Sequence, residues 1–295
     1  WETLVNSLLD SGLVITAAYP LDTEMMNKVK AHGTASLASS IYIVARKIEK
    51  EEVGFYNDVK EELKRYLNQK LDLLWKEGIS GADFFISAIG SAIEVFGKYK
   101  QVLDYEGNVV RANRLLEDVR EIVTNYAIKH ILHNGISGQI SPLTKFYLLY
   151  RYSYGQAKVH FDEARKLAQS VGIDLEKEWN KGFIRKDKEF IKVLSVDERK
   201  DIDEILKHLD KADLIDVIHI VLKMWEAGEK EKMLKILHET GYGSSEIFYK
   251  VAQAISETLS IEAKEKKLLD GFLTGKDRII SAIKSVQTRE QKTLF

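Results

Sequence analysis

Apolar positions change period along this chain, alternating near its start and recurring every three or four residues over most of the rest. Residues 12–19 (Gly-Leu-Val-Ile-Thr-Ala-Ala-Tyr) and 39–47 (Ser-Ser-Ile-Tyr-Ile-Val-Ala-Arg-Lys) are β-branched runs bounded by Gly, Pro and Ser, which predicts two strands after one short helix. Two strands alone are marginal in water, so the pair is expected either to be the edge of a larger sheet supplied by a partner or by preceding chain, or to leave an unusually exposed apolar edge. Helix follows at 57–77, where Val59, Leu63, Tyr66, Leu67, Leu73 and Leu74 trace one stripe. The segment 81–97 is apolar all round and predicts a buried helix, and 113–133 predicts another amphipathic one. Between them, Glu106-Gly107 marks a short hairpin.

Gly135 and Gly138 interrupt the pattern and suggest a domain boundary. Ser141-Pro142 then caps a helix to about residue 154. Its Phe146, Tyr147, Tyr150, Arg151, Tyr152 and Tyr154 suit either core packing or stacking on bases. A helix at 161–171, a short one at 175–180 and alternating segments at 182–186 and 189–194 complete the order of a winged helix-turn-helix. In that design Lys181, Arg185, Lys186, Lys188 and Lys192 are the wing's phosphate contacts. The short helix, Asp174-Leu-Glu-Lys-Glu-Trp179, is acidic and suits a polyanion poorly, so packing against protein is the competing reading. Helices at 212–227, 230–239, 244–259 and 262–285 predict an antiparallel bundle. The fold class is therefore mainly α, with an N-terminal β-hairpin, and the segments divide as 1–50, 51–136, 137–196 and 197–295.

Composition narrows the field. The 295 residues are 45% hydrophobic and 30% charged, enough for real cores in about two domains. No Cys excludes disulfides and thiolate chemistry, and the Lys- and Glu-rich, Pro-poor makeup fits a thermophile. Without an apolar run of ~18 residues no membrane role is expected, and cytoplasmic residence is the expectation. A net charge of −1 leaves nucleic-acid contact to local cation clusters, such as Lys28 and Lys30 in the long connection 20–38, which otherwise reads as a surface loop. His130 and His133 lack a carboxylate at ligand spacing, and His219, on an otherwise apolar helix face, reads as a packed residue. Asp270 stands where a phosphate-binding loop ending at Gly275-Lys276 needs its first glycine. The carboxylates look scattered over solvated faces, and no acid/base pair stands out.

One set of strings carries a resemblance: Trp1, Gly12-Leu-Val-Ile-Thr, Tyr19-Pro20, Thr23-Glu24, Ala35-Ser-Leu-Ala-Ser-Ser-Ile41 and Arg46-Lys47. It continues through Gly81-Ala-Asp-Phe84, Ile89-Gly90, Phe161-Asp-Glu-Ala-Arg165 and Lys266-Lys-Leu-Leu-Asp-Gly-Phe-Leu273. These resemble the C-terminal portion of the large archaeal and bacterial adenine-specific DNA methylases that carry the DUF1156 domain. The resemblance implies that the two strands end an S-adenosylmethionine-dependent catalytic sheet. It also implies N6-methylation of adenine in DNA within a host-defence or modification system, with an N-terminal methyltransferase portion as partner. With only Pro20 and Pro142 in the chain there is no Asp/Asn-Pro-Pro-Tyr/Phe turn, and the lone Gly241-Tyr-Gly243 follows a helical run instead of a strand. The chain is thus expected to hold no S-adenosylmethionine and to be inactive alone, serving target recognition or assembly. The alternative is a non-enzymatic helical module that docks through an exposed strand edge.

Overall fold

Helix dominates, as the 3.6-residue periodicity requires. The computed structural model describes residues 2–21, 40–47, 52–79, 81–132 and 139–293, which fall into two units, 1–127 and 128–295. The glycines expected to form a boundary at 135 and 138 lie outside the described residues.

In the first unit, α1 (Glu2–Asp10) leads into β1 (Leu13–Leu21), which pairs antiparallel with β2 (Ser40–Lys47). A bulge between Ile15 and Ala17 turns the strand so that Val14 and Ile15 are both buried. Among the described residues no third strand joins this pair, and on β2 Tyr42 and Val44 remain 55% and 39% exposed. The connection that holds Lys28 and Lys30 lies outside the described residues.

The next helix, α2 (Tyr56–Lys76), buries Val59, Leu63, Leu67 and Leu71. That i, i+4 row corrects the expected stripe, because Leu73 falls off it and is 52% exposed. The largely apolar α3 (Gly81–Phe96) packs against β1 and α2 and buries Phe84, Ala88, Ile89, Ala92, Ile93 and Phe96, while Asp83, Ser91 and Glu94 stay part-exposed. Gly97 at its end is obligatory: a Cβ there would stand 2.1 Å from Val14 Cγ1. The expected hairpin exists as a turn, with Asp104 N–H donating to Asn108 O and Val110 N–H to Val102 O. Its first strand, β4 (Gln101–Leu103), pairs mainly in parallel with β3 (Val53–Phe55), too short to have shown in the sequence pattern. α4 (Ala112–Ile131) buries Leu115, Leu116, Val119, Val123 and Ala127.

The second unit begins with α5 (Pro142–Tyr154), where the Ser141 hydroxyl accepts from Thr144 N–H as the N-cap. Then come β5 (Val159–His160), α6 (Phe161–Ser170), the one-turn α7 (Leu175–Glu178), β6 (Ile184–Asp187) and β7 (Phe190–Val193). The strands form a sheet in the order β5-β7-β6. Helix, strand, helix, helix, strand, strand is the order of a winged helix, with β5 the strand that the sequence did not show. The aromatic residues Phe146, Tyr147 and Tyr150 of α5 are wholly buried, which removes them as base-stacking residues.

The remainder is helical: α8 (Ile202–Leu206), α9 (Leu214–Ala227), α10 (Lys230–Glu239), α11 (Glu246–Thr258), α12 (Lys264–Thr274) and α13 (Lys276–Thr293). Asp213 and Asp216 form a capping box at the start of α9, and Gly228 closes it at φ 71°. The expected single helix over 262–285 is instead α12 and α13, broken at Gly275. There the Gly275 N–H turns back to Phe272 O, and the Trp225 ring fills the space beside the missing Cβ. None of the described helices is long and apolar enough to cross a membrane.

Candidate nucleic-acid interface

The hairpin β6–β7 carries exposed charge at Arg185, Asp187, Lys188 and Glu189. Register places Ile184 opposite Val193, both buried, so alternation turns Arg185 and its partner Lys192 to the other face. Lys188 occupies the turn at φ 54°, a conformation non-glycine residues seldom adopt. The cations named from sequence then divide. Lys192 is held by Glu198, whose carboxyl is desolvated by burial yet drawn below the usual carboxylate range by that ammonium and the Ser195 N–H. Lys186 Nζ lies 3.6 Å from the Trp179 ring centroid. Lys181, Arg185 and Lys188 are exposed and form no ion pair within 4 Å among the described residues. Lys28 and Lys30 cannot be placed with them, because they lie outside the described residues.

Beneath the wing runs a buried polar chain that the sequence did not suggest. The Arg199 guanidinium binds both Asp201 oxygens at 3.0 and 2.7 Å, Asp216 Oδ1 at 2.6 Å and His219 Nδ1 at 3.2 Å. Because a guanidinium only donates, Nδ1 must accept, and the His219 proton sits on Nε2. That N–H donates to Glu265 Oε1 at 3.1 Å. Glu265 also accepts from Tyr147 Oη and lies 3.2 Å from Arg151 Nη2. Arg151 in turn donates to Tyr147 Oη and Gly155 O, each at 3.0 Å.

Arg151, Arg199, His219 and Glu265 are all buried. Burial lowers the His219 pKa, only partly offset by Glu265, so the imidazole is neutral. Burial alone would raise that of Glu265, but Arg151 and the His219 hydrogen bond hold it below the usual range. Desolvation raises the Tyr147 hydroxyl.

A cleft of about 400 Å³ opens beside Arg199, lined also by Asn180, Lys181, Asp201, His208 and Lys211. Arg199 already spends its donors on two carboxylates and an imidazole, and its single charge is shared between Asp201 and Asp216. The network therefore fits a role in fixing how α5, α9 and α12 meet. No group of carboxylates and histidines able to hold a metal ion occurs among the described residues.

His219 had registered in the sequence as a packed residue and Arg151 as part of an aromatic stripe suited to core packing or base stacking, but Arg199 and Glu265 had not registered at all. The one available signal was an Arg within the aromatic stripe of α5.

Compared with protein-family models, curated proteins and solved structures, the chain matches none.

Proposed function

We propose that this chain is the DNA-contacting, non-catalytic region of a DNA adenine-N6 methyltransferase, working beside a portion that binds S-adenosylmethionine and carries the methyl-transfer motifs. The single observation that supports DNA contact is the hairpin β6–β7 with Lys181, Arg185 and Lys188 exposed and unpaired. Charges so placed suit phosphates, and releasing phosphate counterions is the main source of sequence-independent affinity. The methyltransferase half of the reading rests on the family resemblance, and the non-catalytic part on the chain's lack of an Asp/Asn-Pro-Pro-Tyr/Phe turn.

The test is duplex binding across a salt series. The unmodified chain should lose affinity steeply with salt, and the double variant Arg185→Glu, Lys188→Glu should flatten the log–log slope by about 2, near 0.9 per phosphate contact. An unchanged slope would remove the wing from the interface. Methyl transfer on mixing with the catalytic portion, and none by either part alone, would support the enzymatic half.

A second reading has its own observation. Strand β2 exposes Tyr42 and Val44 and has a free edge among the described residues, the geometry of a module that docks by adding a strand. Inert co-elution with the catalytic portion, without restored methyl transfer, would favour this non-enzymatic interaction role.

A further inference from the structure

The short α7 poses a problem for duplex recognition. A helix of four residues, Leu-Glu-Lys-Glu, spans about 6 Å, too little to lay a row of side chains along a major groove, and its two glutamates repel phosphate. Beside it, at the root of the wing, stand two half-exposed rings. Phe161 opens α6 and Trp179 follows α7, with centroids 5.6 Å apart.

The main chain at both rings is tied to the hairpin by hydrogen bonds that main-chain N–H groups donate. Phe161 N–H donates to Glu189 O at 2.7 Å, next to the turn. Asn180, held at φ 60°, accepts the Lys186 N–H on its Oδ1 at 3.1 Å, which fixes strand β6 against the residue after Trp179. The Lys186 ammonium rests 3.6 Å from the Trp179 centroid and 5.5 Å from that of Phe161. Arg165 approaches the Phe161 ring at 5.9 Å. Two aromatic faces, the Lys186 ammonium resting on them and the exposed Lys188 at the adjoining turn are the components of a platform on which an unpaired base stacks while its phosphates are neutralised.

We propose that Trp179 and Phe161 receive an unpaired nucleobase. Lys186 swings from the Trp179 face to the flanking phosphate, and Lys188 at the turn holds the neighbouring backbone. The site rests on the reading that this module contacts DNA and states what it recognises there: a strand opened or distorted at one position, with little dependence on base sequence. Cation–π contact holds the face in the free protein, and the base replaces it.

The test measures binding of the whole chain, by fluorescence anisotropy at low salt, to a perfect duplex and to the same duplex carrying one unpaired adenine. The unmodified chain should prefer the second. Trp179→Leu should lose about tenfold on the unpaired-base duplex, within the range for one stacked base, and be unchanged on the perfect one. Trp179→Phe keeps a ring and should retain most of the preference, which separates stacking from misfolding. Circular dichroism melting confirms that each variant is folded. Equal affinity of the unmodified chain for both duplexes, or equal losses on both by Trp179→Leu, overturns the platform while leaving wing contact standing. Failure to bind either duplex overturns the DNA reading itself. Tight binding of a trimethyl-lysine peptide, abolished by Trp179→Leu, overturns the platform in favour of a cation-binding cage.

Discussion

Replacing Glu265 by Gln keeps the shape of a fully buried side chain and removes its charge, leaving Arg151 with no counterion. The two groups are 3.2 Å apart with side chains 1% and 0% exposed. At an effective dielectric of ~20, Coulomb's law gives an attraction of about 5 kcal/mol at that separation. Truncating one partner of a buried pair costs about 3–5 kcal/mol by measurement, so the two routes agree on roughly 4 kcal/mol. For a unit of this size that corresponds to a fall in Tm of about 10 °C.

Urea denaturation followed by circular dichroism measures it, together with Arg151→Met and the double variant. Arg151→Met alone leaves the Glu265 carboxylate bare and should cost a similar amount. The double variant buries neither charge and should be less destabilised than the sum of the singles by about 2 kcal/mol or more. A coupling energy under ~0.5 kcal/mol would refute the claim that these charges are held for each other.

The pH dependence of stability follows from the same cluster. His219 is kept neutral by burial, facing Glu265 on one side and Arg199 on the other, so the unfolded chain binds its proton more readily. Stability is therefore fully present above the ordinary histidine value of 6.5 and falls as the pH drops below it, by about 1.4 kcal/mol per unit for this residue. Glu265, held low, adds its own loss at more acidic pH, and His219→Gln should remove the upper part of the slope in a Tm-versus-pH series. Gly97→Ala drives a methyl group into Val14 and should destabilise the first unit by about 1–3 kcal/mol, read as a lower urea midpoint with an unchanged m-value. Ser141→Ala removes the α5 cap and should cost about 1 kcal/mol in the same measurement.

Most helices were legible in the sequence because the rise and turn of a helix are local. Val59, Leu63 and Leu67 announce α2, and Leu214, Val217, Ile218 and Val221 announce α9, without knowledge of what they pack on. The wing hairpin was legible for the same reason, since alternation and a Lys-Asp-Lys turn are written within one short stretch. Strands β3 and β5, of three and two residues, are too short to show a period and exist only because β4 and β7 pair with them. The break between α12 and α13 also escaped, because helical conformation and amphipathicity continue on both sides of Gly275.

The chemistry of individual side chains divided along the same line. That Lys181, Arg185, Lys186, Lys188 and Lys192 crowd one hairpin is a property of the linear sequence. That Glu198 neutralises Lys192, that Trp179 takes Lys186 and that the rest stay open was decided by tertiary contacts. Tyr147 and Glu265 are 118 positions apart, and no local pattern marks either as the other's partner. Periodicity reports which face of an element is buried. Only the packing of α5, α9 and α12 decides which charge on those faces meets its counterion.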